Sequence, residues 1–326
     1  MGAPDRQRIQ LCLTTMFVDI VGFAKVAETH NAEECFLHLK SILSRIADYV
    51  KKYGGKVDKT MGDGVLCVFG HDGLADHAAR ALRCAVALQR ESLDIDIQSH
   101  LKSRPVYPLR IGINTGEVFM GDLGDSLHPD VTVIGHGVNI ANRLEAACDG
   151  YSIMLGATSY STIREYDELN LSPRKRLVQI KHHDELLVAY ECNPFEDRPE
   201  LLNQAIDAYR NFAGISRKET RWPVPSAAGA VVACDAGEGP LVDFSDNGFS
   251  VRLPTYLARG IQLHLEIKLP NPALVAKLRD SGIDRMVGEV RWGRPAGDAY
   301  LHGFQLKFRH RDQSDKFVNT LKDVLV

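Results

Sequence analysis

Two rhythms of apolar residues run through this chain. Up to about residue 214, short apolar runs beside glycine alternate with stretches whose apolar positions recur every three or four residues, the marks of strands and helices in turn. Residues 11–19 read as a buried strand that ends on Asp19, just ahead of a turn at Gly22. Residues 31–53 read as a helix whose stripe of Phe36, Leu39, Leu43, Ile46 and Val50 is expected in the core, with Asn31 and Glu34 as a capping box. Residues 55–69 form a hairpin: Val57 leads in, Gly62, Asp63 and Gly64 turn, and an apolar strand returns. A helix near 73–92 turns Ala78, Leu82, Ala85 and Leu88 inward and leaves His77 on its surface. Residues 93–105 read as a polar loop, LRIGIN from 109 as a strand, and 121–131 as a β-arm. The stretch TVIGHGVNIANRLE, 132–145, passes from strand through a turn at Gly135 and Gly137 into a helix. A strand and helix over 151–165 and a hairpin over 176–192 complete this part.

Residues 194–214 carry Pro194, Pro199 and the amphipathic run LLNQAIDAYRNF, a boundary followed by a short helix able to pack on either side. Beyond 217 six short runs separated by Gly and Pro (AGAVVAC, GPLVDFS, GFSVRLP, IQLHLEIKLP, MVGEVRWGR, YLHGFQLKF) suggest a small closed barrel. A last helix, 312–325, places Phe317, Leu321 and Val324 on one side. The expected division is a first domain at 1–192, a helical linker at 193–214 and a second domain at 215–326.

Composition narrows the classes. With 326 residues, 44% hydrophobic and 25% charged, the chain suits a globular protein of two domains. A net charge of −3 implies no bulk attraction to nucleic acid or to an anionic membrane. No apolar run approaches the roughly 18 residues of a membrane span, and the first strand begins too early for a signal peptide. The seven cysteines are odd in number and never spaced as CxxC, so they read as reduced thiols of a cytoplasmic protein.

The chemistry gathers at strand ends. Asp19 and Asp63 each close a strand or hairpin beside glycine, and two such carboxylates suit a pair of Mg²⁺ ions, which prefer carboxylate and phosphate oxygens and keep waters. Asn139 and Arg143, four apart, share one helical face. Arg110 opens its strand as a planar cation with several donors.

Taken in order, FVDIVGF, KTMGDGVLCVF, LRIGINTGEVFMGDLG and TVIGHGVNIANRLE resemble a class III nucleotidyl cyclase catalytic domain, over roughly residues 10–192. The fold this implies is α+β: a ferredoxin-like antiparallel sheet with helices. The resemblance implies two Mg²⁺ (or Mn²⁺) per active site at Asp19, Ile20 and Asp63, and a substrate held by Gly22, Phe23, Arg110 and Lys181. It implies Asn139 on the ribose and Arg143 on the α-phosphate during attack of the ribose 3′-OH, with pyrophosphate leaving. Lys59 and Thr132 stand at the positions that choose the base, where Lys suits adenine N1 and a hydroxyl can accept from the amino group, so ATP is the expected substrate. The family's head-to-tail homodimer would divide the work. Asp19, Asp63 and Arg110 serve one site, and Lys59, Thr132, Asn139, Arg143 and Lys181 the other. Departures from the pattern are His136 in place of an Asp, and His182 with His183 where a Gly-Lys pair is usual.

In the second part, Arg217 and Arg221 form an RxxxR just before the barrel, and Asp243, Ser245 and Gly248 a DxSxxG at a strand turn. This pair of motifs resembles a PilZ domain, a six-stranded β-barrel receptor for cyclic di-GMP. Arg can fork onto a guanine edge or a phosphate, Asp243 can accept from guanine N–H groups, and Gly248 admits close backbone. The resemblances together imply an adenylyl cyclase regulated by cyclic di-GMP. A guanylyl cyclase, against which Lys59 argues, and a catalytically silent receptor are the alternatives.

Overall fold

A computed structural model describes residues 9–29, 31–102, 104–124, 131–179, 186–212, 221–296, 298–308 and 312–325. The chain divides into two units: residues 1–175 with 188–216, and residues 176–187 with 217–326.

The first unit follows the apolar rhythm closely. In chain order it runs β1 (Ile9–Ile20), α1 (Phe23–Thr29), α2 (Ala32–Lys52), β2 (Gly55–Met61), β3 (Gly64–Phe69), α3 (His77–Leu101), β4 (Leu109–Asp122), β5 (Val131–Ile134), α4 (His136–Ala147), β6 (Ile153–Gly156), α5 (Ala157–Thr162), β7 (Arg174–Gln179), β8 (Leu186–Cys192) and α6 (Pro199–Phe212). The sheet order is β2-β3-β1-β4-β6-β8-β7, with β5 added on β4. β4–β6 is a parallel pair, while β1–β3, β1–β4, β2–β3 and β6–β8 are antiparallel. β1 lies inside the sheet and is apolar on both faces. Met16, Val18 and Ile20 meet Ile42, Ile46 and Val50 of α2 and Leu82, Ala85 and Leu88 of α3. Leu13 and Phe17 meet Leu66, Val68, Val118 and, from α4, Val138 and Ala141. The two-residue period sorts one continuous apolar run into two cores.

Two expectations need correction. Phe36 is 64% exposed, and the buried face of α2 is Cys35, Ile42, Ile46 and Val50. At 100° per residue Phe36 falls about 80° from Ile46, at the margin of the stripe, whereas Cys35 lies near its centre. Asn31 does cap the helix, accepting from the backbone of Glu33 and Glu34 at 2.8 and 3.4 Å. The expected polar loop at 93–105 is in large part helix, since α3 continues to Leu101. Leu93 packs in a small core with Tyr151, Phe195 and Ala205, and Asp96 accepts from Tyr107 N at 3.1 Å and from the Tyr151 hydroxyl at 2.8 Å. Burial holds the Asp96 carboxyl up at about 6.

His77 also departs from a purely surface reading. It is half-buried and starts a chain of hydroxyls: Nδ1 to Thr14 at 2.7 Å, Thr14 to Thr115 at 2.7 Å, Thr115 to Ser159 at 2.9 Å. Desolvation lowers its pKa. The helix expected after Pro194 is α6, seated in the first unit with Leu201, Leu202 and Ile206 around the Leu93 core. All seven cysteines are free, and five of them are buried. No helix among the described residues is long and apolar enough to cross a membrane.

The second unit is built from β9 (Trp222–Pro223), β10 (Val231–Cys234), β11 (Gly237–Ser245), β12 (Gly248–Leu253), β13 (Gln262–Lys268), α7 (Pro272–Asp280), β14 (Arg285–Ala296), β15 (Ala299–Lys307) and α8 (Asp312–Leu325). Six antiparallel strands run β10-β13-β14-β15-β12-β11, and β11 pairs back onto β10, closing the barrel; β9 adds two residues to β11. Closure leaves no open edge among the six. α8 covers Phe244 and Phe249 with Phe317, which is fully buried together with Leu321. α7 lies within the expected strand region, capped by Asn271 on Ala273 N at 2.9 Å. From residue 176 on, β7 falls in this unit; there Arg176 is 1% exposed, its guanidinium 3.5 Å from the centre of the Tyr256 ring, a cation–π contact made in a dry setting.

Candidate functional site

The first site is set by strand register. β1 and β4 pair so that Asp19 lies opposite Arg110. Arg110 donates to Asp19 Oδ2 from Nε at 2.9 Å and from a terminal nitrogen at 2.6 Å. Two residues on, Gly112 shares Arg110's face, and a Cβ there would collide with Ala141 O and Glu145 N of α4. The glycine lets α4 lie directly on β4, and that seats Glu145 2.6 Å from Arg110. Glu145 is buried, and desolvation raises its carboxyl to about 7, with Arg110 opposing and Asp19 and Asp63 adding to the rise. Arg110 itself is raised, the charges of Glu145 and Asp19 outweighing its burial.

Asp63 stands at the tip between β2 and β3, where Gly62 has φ +65°. A Cβ on Gly64 would be 3.4 Å from Asp19 Oδ1, so the hairpin tip lies against the end of β1. Burial first, and the Asp19 charge second, raise the Asp63 pKa. A cation bound beside Asp63 would favour its ionised form. Among the described residues no group of three His, Cys, Asp or Glu is arranged to hold a metal. A two-carboxylate site matches Mg²⁺, which takes one or two protein carboxylates and completes its shell with water and substrate phosphate. Ile20 is 1% exposed, so its backbone is what it can offer. Gly22 turns the chain at φ +70°, and a Cβ on it would collide with the Tyr209 hydroxyl of α6.

A second group of residues surrounds β2, β5 and α4. Lys59 pairs with Leu66, Val57 with Cys67, and Asp58 between them is the extra residue of a β-bulge. Thr132 on β5 donates from Oγ1 to Asp58 Oδ2 at 2.6 Å. Thr132 is 2% exposed and Asp58 half-exposed. Asn139 is exposed and Arg143 half-exposed, one turn apart on α4. Lys181 lies outside the described residues, as do His182, His183 and Arg217.

In the barrel, Arg221 reaches the Asp243 carboxylate and donates to Ser250 Oγ at 2.8 Å. Buried Ser245 donates to Gly248 O at 3.4 Å, closing the β11–β12 turn. A Cβ on Gly248 would collide with Phe304 O, so this position must be glycine. Asp58, Glu145 and Ser250 were passed over by pattern reading. Each is a small or acidic residue in a stretch already singled out, and only contacts across strands give it a role.

Comparison with known proteins agrees with both halves. The model of the adenylate and guanylate cyclase catalytic domain matches residues 6–188. The chain belongs to this family. A PilZ domain matches residues 215–325. The cyclase domain is 30% identical over 196 residues to an adenylate cyclase of Anabaena cylindrica, covering 59% of this chain and 38% of that protein, well under its full length. Crystal structures of a guanylyl cyclase and of the adenylyl cyclase CyaB from P. aeruginosa each match it with TM-score 0.52 at 28% identity. Each covers 57% of this chain, and the chain covers 93% and 95% of them. Equal likeness to an adenylyl and a guanylyl cyclase leaves the base to be read from the site.

Proposed function

We propose that this cyclase domain converts ATP to cyclic AMP and pyrophosphate in a head-to-tail homodimer, under control of cyclic di-GMP bound by the PilZ domain. The observation that supports the reading is the Asp63 hairpin tip set against the end of β1 at Asp19, which brings two strand-end carboxylates together. Asp19, the Ile20 carbonyl and Asp63 would hold two Mg²⁺ or Mn²⁺. Bound there, such ions lower the pKa of the 3′-OH and neutralise the leaving pyrophosphate. Arg110 holds Asp19 in place, and Arg110, the backbone of Gly22 and Phe23, and Lys181 would bind the triphosphate. Asn139 orients the ribose, and Arg143 stabilises charge that builds on the α-phosphate. Lys59 donates to adenine N1.

The test is incubation with Mg²⁺ or Mn²⁺ and each purine triphosphate, following cyclic nucleotide and pyrophosphate. ATP is expected to exceed GTP in kcat/KM by at least about tenfold, or about 1.4 kcal/mol. Equal or better use of GTP sinks the adenine assignment, and no product from either sinks the enzyme reading.

For regulation, Arg221, Asp243, Ser245 and Gly248, with Arg217, are the proposed cyclic di-GMP contacts. Arg221 is held by Asp243 and Ser250, and cyclic di-GMP would compete with those partners for its guanidinium. α6 precedes this segment and lays Tyr209 against Gly22 beside the metal acids, which gives a physical route from helix to active site.

A further inference from the structure

The base-reading residues hold an acid that neither the family match nor the motifs assign. Asp58 is the extra residue of the β2 bulge, without a partner on β3. Bulges re-aim side chains, and this one turns the Asp58 carboxylate onto β5. There Thr132 gives its single hydroxyl proton to Asp58 Oδ2 at 2.6 Å. The hydroxyl has no second proton, and an ionised carboxylate has none. The pair therefore presents only lone pairs to anything that meets it. Thr132 is 2% exposed and Asp58 half-exposed, so the carboxylate is the end a ligand meets. Lys59, the next residue, is a pure donor.

We infer that Asp58 is a specificity-determining residue of the base pocket: its carboxylate accepts from the adenine amino group, and Thr132 is the positioning residue that holds it. An acceptor-only pair next in sequence to a donor suits the edge of adenine, which offers an amino donor next to the N1 acceptor. In the same pose guanine sets its O6 acceptor against the carboxylate, and both are lone-pair bearers. This inference rests on ATP being the substrate.

The experiment compares kcat/KM for ATP and for GTP in the full-length protein, wild type against Asp58→Asn, Asp58→Ala, Thr132→Val and Thr132→Ser. Asp58→Asn keeps shape and can still accept the Thr132 proton through its carbonyl, which turns its NH₂ toward the base as a donor. The ATP-to-GTP ratio is expected to fall at least tenfold in Asp58→Asn, through lost ATP use and gained GTP use together. Asp58→Ala removes the acceptor and lowers the ratio by loss of ATP use alone. Thr132→Val is expected to raise KM for ATP with kcat nearly kept, and Thr132→Ser, which restores the hydroxyl, to recover it. A folding defect would lower both substrates alike and leave the ratio at its wild-type value. An ATP-selective wild type whose ratio survives both Asp58 changes overturns this inference and leaves the adenine reading standing. An unchanged ratio in Asp58→Asn with collapse in Thr132→Val also overturns it, and makes Thr132 itself the contact. A wild type that prefers GTP overturns the adenine reading and this inference with it.

Discussion

Asp96 illustrates how one buried acid ties the first unit together. It receives two hydrogen bonds, yet burial outweighs them and leaves its pKa at about 6 against 3.8 for the unburied group. The folded state therefore holds the Asp96 proton more tightly than the unfolded state does. Stability from this group is full below pH 3.8 and is lost as pH rises toward about 6. A rise from 3.8 to about 6 corresponds to on the order of 3 kcal/mol. Urea midpoints measured from pH 4 to 7 should show a decline that is flatter in Asp96→Asn. Parallel curves for variant and wild type would remove Asp96 as its source.

The contact of α4 with β4 sets the surroundings of Arg110. Gly112 admits the α4 backbone at Ala141 and Glu145, and Arg110 on the same face of β4 is thereby placed between Glu145 and Asp19. Gly112→Ala must push α4 away. Overpacking of this kind costs about 1–3 kcal/mol. Thermal denaturation should show a lowered Tm, and the remaining folded protein should lose turnover because Arg110 and Asp19 shift together. A variant with wild-type Tm and activity would mean α4 moves without effect on the site. α6 shows a related division of roles. Its sequence reads as a linker, but Leu201, Leu202, Ala205 and Ile206 seat it against Leu93, Tyr151 and Phe195.

Two predictions concern the assembled protein. In the proposed head-to-tail dimer, Asp63 of one protomer and Arg143 of its partner would serve one site. Asp63→Ala and Arg143→Ala should each be nearly inactive alone. In a mixed dimer both defects fall in one site and the other is whole, so equal mixing should return about a quarter of wild-type activity, half the dimers carrying one good site each. No recovery despite proven subunit exchange would assign Arg143 to the same site as its own Asp63. The second prediction is that cyclic di-GMP raises cyclic AMP formation, through a coupling of about 1–3 kcal/mol on binding. Calorimetry should show binding lost in Arg217→Ala and Arg221→Ala, and the response lost with it. A flat activity curve with binding intact would give the PilZ domain a different output.

What the amino-acid order alone determined was whatever rests on neighbours along the chain. The two-residue and 3.6-residue periods carried the strands, the hairpin at Asp63, the β5-to-α4 turn and the six barrel strands, because each is set within a few residues. The motifs FVDIVGF, KTMGDGVLCVF and DxSxxG carried both family assignments for the same reason. Three-dimensional packing decided the rest. Asp19 meets Arg110 across 91 positions and Thr132 meets Asp58 across 74, separations at which local pattern holds no information. The helical length of α3 is hidden by its polar composition, since Ser92 and Asp96 are buried and Asp96 is held by Tyr107 and Tyr151 beyond the helix. The rotation of α2 that exposes Phe36 depends on which stripe finds a surface to cover. Glu145 comes within 2.6 Å of Arg110 where a glycine two strand positions away lets a helix approach, a contact between backbones that no side-chain pattern encodes.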